Sequence, residues 1–315
     1  GAGDWSASRV SSFGLATGVE NPQGYDWEKV AFVPWQRGKR LQELFQSLRG
    51  ADVDGRDDDG ARRDELDSWQ GFAYDIASMK ERERVELEAL GSLSTKKYKP
   101  MRMYVTGTAG SGKSLTIRAC VRARREAAMS RGLDRKAARG QCLLAAPTGC
   151  ASFQMKFGAA TIHRTFGVPC HFCGPTSDAA KHSKIFLERQ EQVQTARLFV
   201  LDEFSMVGRQ MLGKIAFRVG EVLGTRQVMG GRDVILSGDV RQAQPIGEEP
   251  MYKMGRYTGK GLNKPKRKEA PAGTPTMERL TSQGEMFREE ISDAVILREV
   301  HRIERGAGQA MSPEE

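Results

Sequence analysis

No stretch of this sequence approaches the roughly 18 consecutive apolar residues that a membrane-spanning helix needs. The opening residues, GAGDWSASRV, lack the charged and apolar regions of a secretory signal. They also lack an initiator Met, as a piece of a longer chain would. Cysteine is scarce, with five in 315 residues, too few for a disulfide framework. Cys120, Cys142 and Cys150 sit in apolar or helical contexts and read as buried free thiols of a reducing compartment. Cys170 and Cys173 offer half of a zinc site. No second Cys or His pair follows at zinc-ribbon spacing, and His182 stands alone. Internal repeats are also lacking.

What remains is the texture of a soluble globular protein, 39% hydrophobic and 28% charged. Its length suits one large or two modest domains. The net charge of +9 and the pI near 9.4 favour a polyanionic partner such as nucleic acid, without deciding it.

Residues 1–60 carry Trp5, Trp27, Trp35 and the stretch GKRLQELFQSLRG, with Leu41, Leu44, Phe45 and Leu48 on one helical face. The Asp- and Gly-rich run DVDGRDDDGARRDE reads as a flexible linker, so a boundary is expected near residue 60. A helix is expected from Asp67 or Ser68, either of which can cap it, to Gly91. Its charged second half, KERERVELEAL, reads as solvated. Five short apolar runs follow: MRMYVTG, CLLAAPTG, RLFVLDE, DVILSGD and AVILREV. Helical patterns such as LTIRACVRARREAAM and GRQMLGKIAFRVGEVL separate several of them. Buried strands alternating with helices predict a parallel sheet covered on both faces. The Lys-, Gly- and Pro-rich stretch between Met251 and Thr276 reads as a basic insertion, either a solvated loop or a phosphate-contacting one.

The run Gly107-Thr108-Ala109-Gly110-Ser111-Gly112-Lys113-Ser114 fits G-x-x-x-x-G-K-[ST] and lies between an apolar run and the helical pattern that begins with Leu115. Its glycines let the backbone turn tightly and aim N–H groups at phosphate oxygens. The following helix adds its positive end. Lys113 is placed to reach the β- and γ-phosphates of ATP, and Ser114 to bind Mg²⁺. A second run, Leu198 to Glu203, ends an apolar strand in two carboxylates. Asp202 can hold Mg²⁺ opposite Ser114, and Glu203 can act as general base. A third strand ends in Gly238-Asp239. If it lies between the first two, Gln242 can sense the γ-phosphate. Thr148, Thr161 and His163 follow other apolar runs and suit contacts to a single strand. For Pro147, Gly149 and His163, plain turn or capping duties are the competing reading.

The order GTAGSGKS, APTGCAS, TIHRTFG, LDEFSM, SGDVRQAQP, LREVHR resembles the PIF-type (RecD-like) branch of superfamily-one DNA helicases across roughly residues 65–305. The resemblance implies a RecA-like P-loop NTPase fold with a parallel central sheet flanked by helices, spanning 61–315. It implies ATP and Mg²⁺ as ligands, single-stranded or unwound DNA as partner, and work in DNA repair or recombination. Gln70 is similar to the family's adenine-reading glutamine, Glu203 to its base, and Gln242 to its γ-phosphate sensor. Arg302 is similar to the arginine that reaches the phosphates at the junction of two motor domains. Ser205 and Met206 are similar to the link between the ATP site and the DNA face. Ala243-Gln244 stands where the family has Leu-Pro. A second RecA-like domain is expected in cis or in trans, and efficient hydrolysis is not expected from this chain alone. A reducing intracellular location is expected, the nucleus or an organelle if the source is eukaryotic. The alternatives are a nucleotide- and DNA-binding module without motor activity, and a P-loop ATPase switch acting on another nucleic-acid enzyme.

Overall fold

The computed structural model describes residues 61–90, 98–169, 174–252 and 275–301. The segment 1–60, the Cys170 and Cys173 pair, nearly all of the basic insertion, and Arg302 lie outside the described residues. Among the described residues no helix is long and apolar enough to cross a membrane.

Six parallel strands form one sheet. They are β1 (Arg102–Gly107), β2 (Cys142–Ala146), β3 (Ala160–Thr161), β4 (Leu198–Leu201), β5 (Asp233–Gly238) and β6 (Asp293–Leu297). The order across the sheet is β3-β2-β4-β5-β1-β6. Every residue of β4 and β5 is buried, which is why these strands read as unbroken apolar runs. Successive residues point to opposite faces. Phe199, Leu201, Val234 and Leu236 therefore join one apolar cluster, while Leu198, Val200 and Ile235 join the other.

Nine helices complete the described residues: α1 (Ser68–Ala89), α2 (Lys113–Ser130), α3 (Arg135–Gly140), α4 (Gly149–Met155), α5 (Ile162–Phe166), α6 (Asp178–Lys181), α7 (Lys184–Thr195), α8 (Arg209–Leu223) and α9 (Met277–Glu289). Helices α1 and α2 cover one face through Ala73, Ala77, Ile117 and Val121. Helices α5, α8 and α9 cover the other through Phe166, Leu212, Ile215, Val219 and Phe287. The layering and strand order give the RecA-like α/β fold. Gly213 and Gly284 let α8 and α9 touch backbone to backbone. A Cβ at these positions would lie 1.9 Å from the Leu280 carbonyl oxygen and 2.2 Å from that of Arg209.

One expectation fails on α1. Its charged second half is not a solvated face, because Glu81 and Arg84 are buried. They belong to a network around Asp233, the first residue of β5. Arg124 Nη2 donates to Asp233 Oδ2 at 3.0 Å, while the Tyr98 hydroxyl and the Met101 N–H donate to Oδ1 at 2.7 and 2.9 Å. Arg84 Nη2 lies 3.3 Å from Asp233 Oδ1, and Arg124 Nη1 lies 3.0 Å from Glu81. Burial alone would raise the Asp233 carboxyl. The two guanidinium groups and these hydrogen bonds outweigh it and hold the carboxyl below its ordinary value. Buried charges are tolerated only when paired in this way. Cys150 is also corrected. It is exposed, because it opens the short helix α4 on its outer side, whereas Cys120 and Cys142 are buried as expected.

Candidate nucleotide and nucleic-acid site

Because all the strands are parallel, their C-terminal ends share one rim, where ligands of open α/β sheets bind. Strand β5 pairs with both β1 and β4. Thr106 is level with Gly238, and Leu201 with Leu236, so Asp202 is level with Ser237. At about 4.8 Å per strand, the tips of β1 and β4 lie about 10 Å apart. The sheet thus brings the Gly107–Ser114 loop, the Asp202–Glu203 pair and the Gly238–Gln242 turn to one place.

The loop leaves β1 and enters α2 at Gly112, whose φ of 80° and ψ of 18° are left-handed. Glycine adopts this without strain. No side chain caps α2, whereas residues such as Asp67, Asp134, Thr148, Thr161, Ser183 and Thr276 cap α1, α3, α4, α5, α7 and α9. The first-turn N–H groups of Lys113, Ser114 and Leu115 have no partner within the helix and suit an anion. Lys113 Nζ donates to the carbonyls of Gly107 at 2.8 Å and Thr108 at 3.0 Å. An ammonium has three donors, so one is left for an oxyanion.

Gln70 is buried, and its Nε2 donates to the Ser111 carbonyl at 3.3 Å. Asp67 Oδ1 caps α1 by accepting from the N–H groups of Trp69 and Gln70, both at 2.8 Å. The chain after β6 closes over the same loop. His301 N–H donates to the Gly110 carbonyl at 3.1 Å, and its Nε2 meets Asp67 Oδ2 at 2.7 Å. Sequence reasoning missed this clasp, since 234 positions separate its members. Glu299 lies within 4.8 Å of both, but both oxygens of Asp67 are already engaged beside a helix N-terminus, which disfavours a cation.

Asp202 is buried, and its N–H donates to the Ala145 carbonyl at 2.9 Å. Burial raises its carboxyl above the ordinary value, opposed by Ser237, the Glu203 backbone and Lys113. The Ser237 hydroxyl faces Asp202 without closing a well-aligned hydrogen bond. Glu203 is half-buried and also raised, first by burial and then by Asp202 and Asp239, with Lys113 opposing. Lys113 therefore acts on both carboxylates, which ties the loop to the acidic pair. Glu203 is held at φ 50° and ψ 45°, a conformation costing a non-glycine residue about 1–3 kcal/mol. Such strain clusters where a side chain must be aimed. Gly238 packs against this bend, since a Cβ there would lie 3.0 Å from the Phe204 nitrogen. Gln242 is exposed and closes a turn, with its N–H donating to the Asp239 carbonyl at 3.0 Å. Ser205 is fully buried and Met206 half-buried, directly beyond the pair.

Thr148 and Thr161 sit at the β2 and β3 tips, away from the loop on the same rim. Each hydroxyl caps a helix, accepting from Ala151 N–H at 3.2 Å and from Arg164 N–H at 3.4 Å. Their hydroxyl protons remain free to donate. His163 Nδ1 lies 2.8 Å from the Val168 carbonyl, so the imidazole has a local duty. The arrangement offers anion-binding N–H groups, an ammonium and two hard oxygen donors, Ser114 and Asp202. That donor set suits Mg²⁺, with a strained carboxylate beside it.

Parts of this chain are similar to known proteins. The family model described as PIF1-like helicase matches residues 79–254. The ATP-dependent DNA helicase PIF1 of Saccharomyces cerevisiae (strain YJM789) is 28% identical over 154 residues, covering 47% of this chain and 16% of that protein. The chain thus spans about a sixth of that relative's length. A crystal structure of Pif1 helicase from Bacteroides in complex with ADP-AlF3 and ssDNA is 28% identical, with 52% of this chain and 33% of that one covered and a TM-score of 0.36. The Pif1 helicase from Candida albicans is 19% identical, with 70% and 39% covered and a TM-score of 0.42. With more than half of its residues inside the family match, the chain belongs to the PIF1-like helicase family.

Proposed function

We propose that this chain is the ATP-binding motor domain of an ATP-dependent DNA helicase, and that residues 61–315 form that domain. The observation that carries the reading is the convergence of the Lys113 loop, the Asp202–Glu203 pair and the Gly238–Gln242 turn on three adjacent strand tips. ATP is the substrate. Backbone N–H groups from Thr108 to Leu115 receive its phosphates, Lys113 turns its remaining donor toward the β- and γ-oxygens, and Gln70 reads the base. Ser114 and Asp202 would hold Mg²⁺, which would supply charge neutralisation at the phosphates. Glu203 orients and deprotonates the attacking water. Its raised carboxyl brings it closer to neutral pH, where a general base works best. Gln242 meets the γ-phosphate, and Arg302 serves as the arginine for the phosphates at the junction with a second motor domain. Catalysis of this kind rests on positioning and charge neutralisation.

Thr148, Thr161 and His163 contact a single DNA strand on the outer part of the rim. A second RecA-like domain, in cis or in trans, closes on the nucleotide, and alternate closing and opening advances the protein along the strand. The test is ATP turnover with and without single-stranded DNA. DNA is expected to stimulate it, and Glu203→Gln to lower turnover by about 10²–10⁴-fold while ATP still binds. Turnover indifferent to both DNA and Glu203→Gln would refute the motor reading. Nucleotide binding with no turnover under any condition would favour the binding module.

A further inference from the structure

A cavity of about 760 Å³ lies at the opposite end of the sheet from the phosphate loop. Tyr98, Pro100 and Arg102 at the entry to β1, Arg232 at the entry to β5, and Ile291 and Ser292 before β6 line it, together with Arg84 of α1. The strands start here, so neither the Lys113 loop nor the acidic pair reaches it.

Its charges do not balance. Among the described lining residues, Arg84, Lys99, Arg102 and Arg232 face two acids, Glu289 and Glu290. Glu290 is committed to Arg102, whose Nε lies 3.2 Å away. Asp233, behind the wall, is shared among Arg124, Tyr98, the Met101 N–H and Arg84. Arg84 is 96% buried and stacks on Tyr98 with its guanidinium carbon 4.2 Å from the ring centre. Among the described residues its Nη2 has the 3.3 Å approach to Asp233, without hydrogen-bond alignment, and its Nε has no acceptor. Arg232 Nη2 donates to the Gln194 carbonyl at 3.0 Å, but among the described residues its Nε has no acceptor either. Burial depresses Arg232, and the neighbouring Arg84 and Arg197 depress it further. Guanidinium N–H donors kept from water without a hydrogen-bond acceptor are costly even beside an ion-pair partner, and an oxyanion bound by these side chains lessens that cost.

We propose that this cavity is a second anion site, taking a phosphate-class oxyanion on Arg84 and Arg232 with Lys99 at its edge. Forked guanidinium donors match phosphate oxygens better than an ammonium alone. Among the described residues Glu289 is the one carboxylate of the wall without an ion-pair partner, and it sets a limit on affinity. The site is independent of ATP chemistry. Its ligand is either free phosphate or a phosphate of a nucleic-acid backbone.

The experiment uses the full 315-residue chain carrying Lys113→Ala, which silences the first phosphate site. Thermal unfolding is followed in sodium phosphate and in sodium chloride of equal ionic strength. Phosphate at ten times its dissociation constant is expected to raise Tm by about 4 °C. Adding Arg232→Gln and Lys99→Gln, neither of which hydrogen-bonds Asp233 among the described residues, removes the rise. Lys99→Gln alone reduces it, which covers the case in which Arg232→Gln folds poorly. No rise beyond chloride, or an equal rise in the substituted chain, overturns the proposal. A labelled 12-nucleotide single strand identifies the source. If phosphate displaces it and Arg232→Gln weakens it, the strand's backbone occupies the site. If neither holds while the Tm rise stands, free phosphate does.

Discussion

Replacing Asp233 with Asn removes one negative charge from a position with no solvent exposure. The amide oxygen can still accept from the Tyr98 hydroxyl and the Met101 N–H, so the perturbation is chiefly electrostatic. Arg124, 3.0 Å from Oδ2, keeps only Glu81 as an anionic partner. Arg84, 3.3 Å from Oδ1, keeps none among the described residues. Breaking a buried ion pair by removing one partner costs about 3–5 kcal/mol. For a unit of this size, 1 kcal/mol moves Tm by about 2–4 °C, so a fall of about 10 °C is expected. Urea unfolding followed by circular dichroism measures the loss directly, provided the slope is unchanged. The pH dependence adds a second check. The Asp233 carboxyl is held below its ordinary value of 3.8, so its stabilisation is present above that value. It is lost as pH falls through the depressed folded value. The gap between wild type and Asp233→Asn should therefore be constant from pH 5 to 8 and close in stronger acid. β5 runs six residues, about 20 Å, so at low temperature the folded variant should bind nucleotide as wild type does. A loss under 1 kcal/mol, or a gap that closes already near pH 6, would refute this view of the network.

The acidic pair makes the opposite prediction. Burial raises the Asp202 carboxyl above its ordinary 3.8, so its contribution is present below that value and lost as pH rises through the folded one. Asp202→Asn should therefore raise the Tm of the nucleotide-free protein at pH 7.5 in the presence of chelator, while abolishing the Mg²⁺ dependence of nucleotide binding. A lower Tm would contradict the sign. Burial pushes the thiols of Cys120 and Cys142 up to about 12 and about 11, whereas Cys150 is exposed. Brief alkylation of native protein at pH 8, read by peptide mass spectrometry, should label Cys150 and spare the other two.

The parts of this protein legible from sequence were those that local spacing decides. The phosphate loop needs glycines at fixed offsets between a strand and a helix, and β1, α2, α8 and the acidic strand lie where their patterns put them. Asp67 caps α1 as its residue type predicts. What depends on distant partners was not legible. The run KERERVELEAL has a solvated pattern, yet Glu81 and Arg84 turn inward because Arg124 and Asp233, more than 40 and almost 150 positions away, neutralise them. β3, with two residues, is too short for alternation to register. Cys150 was misread because an apolar strand precedes it, although the chain has by then turned into α4. The clasp of His301 on Asp67 and Gly110 has no spacing signal at all.

The most direct test of the account is calorimetric titration of Mg²⁺-ATP into wild type and Lys113→Ala. Lys113 supplies an ammonium that acts on both carboxylates of the acidic pair, and its loss should weaken binding at least tenfold, about 1.4 kcal/mol. Equal affinities for a folded Lys113→Ala protein would contradict the assignment of the loop as the triphosphate site.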